Sequence, residues 1–305
     1  MSMALIVVQQ TVVMFLLMAA GYLLFKGGKI TVEGSKCIAS ALLYLVIPCV
    51  IVNTFLVEAT PEKIRALLLS AGVSALILIL AAVISRVAFP KAPVDDFAAA
   101  FSNAGFIGIP LVQSVLGSEA VFYISAFIVL INLFQWVYGA PMMRGEKLEF
   151  NLRKLLVNPI VIGMVIGLAV FFLSIPVPSV VCTFLDDVQA LNAPLAMLVL
   201  GVYLAQTDLL SMFRTARLYK MALFRLILIP ALTMAVLFVL PAGWNELRMA
   251  LLIAASAPTG ANVAVYAQVN GGDYSYAVKC VTLTTLLSVV TLPLVVGAAS
   301  AWWGI

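Results

Sequence analysis

Phe101-Ser102-Asn103-Ala104-Gly105-Phe106-Ile107-Gly108-Ile109-Pro110-Leu111-Val112-Gln113 is an apolar stretch interrupted by an amide, two glycines and a proline. It lies in a run long enough to cross a bilayer. A proline there removes a backbone donor and frees a carbonyl that lipid cannot satisfy, so the break must face protein or a water-filled cavity. Ala255-Ser256-Ala257-Pro258-Thr259-Gly260-Ala261-Asn262 has the same character in a second run. Both read as discontinuous helices.

The rest of the chain sets these two stretches in a membrane. Of 305 residues, 64% are hydrophobic and 10% charged, against about 45–50% and about 25% in soluble domains. A water-facing surface cannot be built from this composition, and the long apolar runs point to one membrane-embedded unit. A hydrocarbon core about 30 Å thick needs roughly 20 apolar helical residues. Ten stretches qualify: Ala4–Phe25, Cys37–Val57, Ala66–Phe89, Phe97–Gly117, Ala120–Met142, Leu155–Leu173, Phe184–Gln206, Arg217–Leu240, Met249–Gln268 and Tyr274–Trp303. The expected fold class is an all-α polytopic membrane protein of ten transmembrane helices. The first run is expected to stay as a span, because no basic residue precedes it and no small-residue cleavage pattern follows before Lys26.

Ten crossings sort the basic residues strongly. One side collects Lys26, Lys29, Lys36, Arg86, Lys91, Arg144, Lys147, Arg153, Lys154, Arg214, Arg217, Lys220, Arg225 and Lys279, 14 of 17, leaving Lys63, Arg65 and Arg248 for the other. The rich side is cytoplasmic by the positive-inside rule, so both termini are expected on the non-cytoplasmic side of a cell inner (plasma) membrane. The net charge of +4 is spent on these topology signals, and no nucleic acid partner is expected. Cys37, Cys49, Cys182 and Cys280 lack metal or disulfide spacing, so no metal and no cofactor is expected.

Ten spans divide into two sets of five, and an odd number forces opposite topology on the second set if the halves are related. Pro48 and Pro110, in the second and fourth spans, lie 62 residues apart, and Pro194 and Pro258, in the seventh and ninth, lie 64 apart. Equivalent spans are therefore expected to carry equivalent breaks, with one repeat over 1–154 and the other over 155–305. Pro230 and Pro293, alone among apolar residues, read as simple kinks.

If the fourth and ninth helices break near the midplane, two half-helix N-termini and two C-termini meet there. Each N-terminal end carries roughly +0.5 of a charge, enough for a carboxylate without a basic side chain. Every Asp and Glu falls in a loop or near a span end and histidine is absent, so no intramembrane proton relay is expected. Transport is then either uniport or coupling through backbone carbonyls. Polar side chains at depth are Asn53, Asn103, Gln113, Asn132, Gln135, Thr259, Asn262 and Gln268, some of which serve as glue between helices. The expected substrate site comprises Asn103, Gly105, Gly108, Pro110, Asn132, Gln135, Pro258, Thr259, Gly260 and Asn262, with Asn103 and Asn262 foremost.

Asn103-Ala104-Gly105-Phe106-Ile107-Gly108-Ile109-Pro110-Leu111, Asn158-Pro159, the run from Pro194 to Gly201 and Ala257-Pro258-Thr259-Gly260-Ala261-Asn262-Val263 together resemble the auxin efflux carrier family. That family includes plant PIN auxin carriers and bacterial malonate and malate permeases, and the resemblance covers essentially the whole chain. It implies two inverted five-span repeats whose fourth and ninth helices break at prolines, matched by Pro110 and Pro258, and cross at the membrane centre. Asn103 matches the family's asparagine near the substrate carboxylate. The resemblance also implies a scaffold of spans 1, 2, 6 and 7, often a homodimer, and a moving transport unit of spans 3–5 and 8–10, hence an elevator-like displacement. Two features depart from the plant members. Only a short basic segment, Met143 to Lys154, joins the fifth and sixth spans, and the third span has Ser70, Ser74 and Ser85 but no acidic residue.

The function these observations predict is secondary transport of a small organic anion such as malonate or malate, with membrane lipid as the other partner. An anion channel and a ligand-binding sensor without flux are the alternatives, separable by counterflow and uptake. An enzyme is not expected: HExxH and a histidine base are impossible without histidine, and no carboxylate dyad lies at depth.

Overall fold

The computed structural model describes residues 3–145, 157–270 and 272–304. The boundary at 154/155 and the basic residues Lys147, Arg153 and Lys154 lie outside the described residues. What is described is helical: α1 (Met3–Lys26), α2 (Val32–Thr54), α3 (Pro61–Ala88), α4 (Pro93–Ala100), α5 (Ala104–Leu116), α6 (Ser118–Arg144), α7 (Pro159–Leu173), α8 (Ser179–Gln206), α9 (Ala216–Phe238), α10 (Asn245–Ser256), α11 (Asn262–Val269) and α12 (Tyr274–Trp303), with a short helix Leu209–Arg214 before α9.

Seven of these, α1, α2, α3, α6, α8, α9 and α12, are long and apolar enough to cross a membrane. Their outward faces are apolar: Leu16 and Leu23 of α1 are each 67% exposed, and Val87 of α3 76%. Such surfaces are at home against acyl chains, and the protein is a multi-pass membrane protein. The other three apolar stretches of the sequence appear as the 15-residue α7 and as two helix pairs, α4–α5 and α10–α11, each member of which is short.

The prolines act in two ways. Wide π-turns occupy Leu42–Val46, Ala104–Gly108, Gln135–Gly139 and Phe224–Leu228, and each ends two residues before a proline: Pro48, Pro110, Pro141 and Pro230. Proline has no N–H and its ring crowds the carbonyl four residues back, which here always belongs to the π-turn. Widening the turn relieves that clash while the helix continues. Pro48 therefore does not break α2, and Pro194 sits just past a single non-helical residue, Leu191, in α8. The spacing of Pro48, Pro110, Pro194 and Pro258 predicts equivalent breaks; π-turns precede Pro48 and Pro110, a bend precedes Pro194, and of the four only Pro258 follows directly on a helix end.

Close helix contacts rest on glycine. A Cβ on Gly201 of α8 would stand 2.1 Å from Met18 O of α1, and one on Gly21 of α1 would stand 2.4 Å from Leu198 O. The two backbones touch, as small residues allow in membranes. Between α7 and α2, Gly163 faces Pro48 O at 3.0 Å and Gly167 faces the Phe55 ring at 2.6 Å on the same construction. The most enclosed segments are Val94–Ala100 of α4 and Leu247–Ser256 of α10, buried at every residue. They place the ends of the two helix pairs at the centre of the molecule.

Candidate functional site

Helix α10 stops where its sequence requires. Ala257 precedes Pro258, whose ring disfavours helical geometry at the residue before it, and Ala257 takes φ −55°, ψ 150°. No proline stops α4; it ends at Ala100, ten residues before Pro110, which is the second residue after the π-turn of α5. The pairing of the two interrupted segments ends it. Asn103 N–H donates to Pro258 O at 2.7 Å and Gly260 N–H to Phe101 O at 2.9 Å, which makes an antiparallel bridge of Ser102 with Thr259. Gly260 is needed at this crossing, since a Cβ there would lie 3.1 Å from Ser102 O.

The carbonyl end of α4 is closed, and that of α10 is met at Ala255. The Thr259 hydroxyl donates to Ala98 O at 2.9 Å. Arg225 Nη1 donates to Ala99 O and Ala100 O at 3.1 and 3.2 Å, and its Nη2 donates to Ala255 O. One guanidinium thus bridges α4 and α10. Thr259 N–H in turn donates to Thr284 Oγ1 of α12 at 3.1 Å. The sequence sorts Arg225 with the basic loop residues and leaves the spans without charge at depth. The structure corrects both points: Arg225 is 1% exposed, the tenth residue of α9, turned inward by the π-turn ahead of Pro230. A charged residue so far into an apolar run was the available signal.

The amide ends of the outgoing helices are open. At α5, Asn103 O accepts from Ile107 and Gly108 at 3.0 and 3.1 Å, while the N–H groups of Ala104, Gly105 and Phe106 have no partner among the described residues. At α11, Val263 and Ala264 donate to Gly260 O and Ala261 O in tight turns, and Ala261 and Asn262 N–H have none. Asn103 is 5% exposed and its Nδ2 has no partner. Asn262 Nδ2 donates to Gln135 Oε1 at 2.9 Å, which joins α11 to α6. Ser102 and Ser256 hydroxyls are also buried without partners.

The ten residues read from sequence fall into separate roles. Asn103, Pro258, Thr259 and Gly260 meet in the crossing, and Asn262 and Gln135 meet beside it. Gly108 packs on the α10 backbone, where a Cβ would lie 3.3 Å from Ala254 Cα. Asn132 turns its amide back to Ile128 O of its own helix at 2.7 Å. Gly105 O accepts from Asn192 Nδ2 of α8 at 3.0 Å, and Asn192 Oδ1 is buried without a partner. Asn192 was missed for want of any glycine or proline break signal of its own beyond Pro194. A cavity of about 340 Å³ opens away from the crossing, lined among others by Lys63, Glu119, Tyr123 and Glu246.

The first turn of α4 carries a second charged cluster. Asp95 and Asp96 are fully buried. Asp95 accepts from Arg217 Nε at 2.7 Å and Tyr276 OH at 2.6 Å, and Asp96 accepts from Tyr138 OH at 3.0 Å with Arg86 at 3.5 Å. These pairs tie α4 to α3, α6, α9 and α12.

Similarity to known proteins agrees with this architecture. The profile of a family described as membrane transport protein matches residues 6–151 and 146–296. A protein of Rhizobium meliloti (strain 1021) named "Putative malonate transporter" is 28% identical over 270 residues, covering 82% of each chain.

Proposed function

Because this chain belongs to the membrane transport protein family, we propose that it is a secondary carrier of small organic anions and that the crossing of α4–α5 with α10–α11 holds the substrate carboxylate. One observation carries this reading: two helix N-termini with free N–H groups open beside the buried, unpartnered amide of Asn103. Each such end contributes roughly +0.5 of a charge and points donors at an anion. Asn262, Gln135 and Gly105 line the same ends. Thr259, Gly108 and Pro110 shape the crossing without touching substrate, and Asn132 supports Gln135 from the turn before it. Malonate is the first substrate to try, since the relative from Rhizobium meliloti is named for it.

The helix pairs α4–α5 and α10–α11 count as the fourth and ninth of ten spans, in two inverted repeats over 1–154 and 155–305. The glycine contacts support that relation: an exchange of repeats maps the first span onto the sixth and the second onto the seventh, so the α1–α8 contact maps onto the α7–α2 contact. These four helices form the scaffold, with a homodimer through it, and the other six form the unit that moves by an elevator mechanism. The protein lies in the inner membrane with both termini outside the cytoplasm. The test is uptake of labelled malonate, malate and monocarboxylates into proteoliposomes, with counterflow to separate carrier from channel. Asn103→Ala and Asn262→Ala are each expected to weaken apparent affinity at least about tenfold. Unchanged affinity in both removes the carboxylate from the crossing.

A further inference from the structure

The geometry points to Arg225 as the residue that makes the crossing selective for anions, acting from the far side and not as a substrate ligand. The inference rests on the crossing being the substrate site. Two helices enter it with their carbonyl ends and two leave with their amide ends, each worth about half a charge of either sign. Taken alone, these four ends sum to roughly zero, and a site so balanced has no reason to prefer an anion. The guanidinium is charged at neutral pH, and it sits on the carbonyls of Ala99, Ala100 and Ala255. It cancels the negative pair of ends and leaves the positive pair unopposed. Its Nε has no partner and the side chain is 1% exposed; among the described residues the guanidinium meets three backbone carbonyls and no carboxylate. Asp95 and Asp96, at the first turn of α4, pair instead with Arg217 and Arg86.

A purely mechanical reading makes Arg225 a clamp that holds two helix ends together. The two readings differ in what they predict for a ligand that differs only in charge. Three residues, 101–103, separate the ends of the first pair, at most about 10 Å at roughly 3.3 Å per residue. One unit charge at about 10 Å and an effective dielectric near 20 changes an anion's affinity by roughly tenfold. A neutral ligand of the same shape is unaffected by that term.

The experiment measures, by titration calorimetry in detergent, the ratio of affinities for an acid and its amide, malonate against malonamide, and acetate against acetamide where the smaller pair binds. Arg225→Gln is expected to reduce the acid-over-amide preference roughly tenfold, and Arg225→Lys, which keeps the charge but not the fork, to hold it within about threefold. An unaltered preference in Arg225→Gln overturns the inference, and so does a preference lost to the same degree in Arg225→Lys. Where Arg225→Gln fails to fold, the lysine variant decides alone: a preference held within about threefold supports the inference, and a roughly tenfold loss overturns it. Asn103→Ala and Asn262→Ala separate this inference from the one beneath it. If they leave acid binding intact while Arg225→Gln abolishes the preference, the charge argument stands and the carboxylate lies elsewhere in the crossing.

Discussion

Thr259 offers the sharpest division between holding the crossing together and binding what passes through it. Its hydroxyl is fully buried and donates to Ala98 O at 2.9 Å, a carbonyl that the end of α4 leaves without a helical partner. Thr259→Val keeps the shape and removes the donor. A buried acceptor left unmade costs about 1–3 kcal/mol, while hydrogen bonds within membrane bundles average about 0.6 and reach about 1.7 kcal/mol. Ala98 O is enclosed and Arg225 is already engaged on the next two carbonyls, so no neighbour can replace the hydroxyl, and the upper part of the membrane range applies, about 1–2 kcal/mol. Thermal unfolding in detergent, followed by tryptophan fluorescence, is expected to fall by roughly 2–4 °C per kcal/mol, and Thr259→Ser to recover most of it. Malonate affinity of the folded variant is expected to stay within about threefold of the parent. An unshifted unfolding temperature together with a tenfold loss of affinity would mean that the hydroxyl serves the substrate, and the assignment of Ala98 as its partner would be refuted.

Gly201→Ala is expected to destabilise by about 3 kcal/mol or more, at the top of the range for overpacking, because its Cβ would meet Met18 O at 2.1 Å; a normal melting temperature in this variant contradicts the α1–α8 contact. Gly72→Ala on α3, where a Cβ meets nothing within 4 Å, is the control and is expected to gain about 0.5–1 kcal/mol, read in the same melt. Arg217→Gln removes the cation from buried Asp95, and with the arginine itself 53% exposed the loss is expected at about 1–3 kcal/mol, below that of a fully buried pair; Arg217→Lys restoring the melting temperature checks that charge is the cause.

How much of this was legible in the sequence depends on which force sets each feature. Apolar length places the spans, and seven of the ten runs stand as single long helices. The stop at Ser256 is legible too, because Pro258 acts on its immediate neighbour. The stop at Ala100 is not, because nothing local to Ala98-Ala99-Ala100 opposes a helix; the cause is Phe101 and Asn103 pairing with residues more than 150 positions away. Pro110 draws attention to the wrong place for the same reason: the π-turn absorbs it. Asn103, Asn262 and Gln135 were legible as amides at depth, whereas the partner that each would choose was not. Arg225 groups by sequence with Arg217 and Lys220, and only the inward turn of α9 at 224–228 separates it from them.

The two interrupted helices are incomplete in complementary ways, and that bears on what can move. In lipid each unpaired backbone group costs several kcal/mol, so a helix cannot break alone. Here α4 is completed by Thr259 and Gly260 from the other pair, both pairs are bridged by Arg225 of α9, and Thr284 of α12 accepts from Thr259 N–H. At the outer turn, Arg86, Tyr138, Arg217 and Tyr276 hold the same α4. All of these groups belong to the six spans assigned to the moving unit. Helix α8 of the proposed scaffold reaches the crossing through one side-chain bond, Asn192 to Gly105 O, and the residue after it, Thr207, reaches α12 at Thr282. The proposed displacement of the unit past the scaffold would leave the bonds at the carbonyl ends untouched and, among the described residues of α8 and Thr207, would have these two side-chain bonds to exchange. In the proposed mechanism the crossing would travel with its charge balance intact, and an anion bound at the open ends would keep the same protein neighbours throughout.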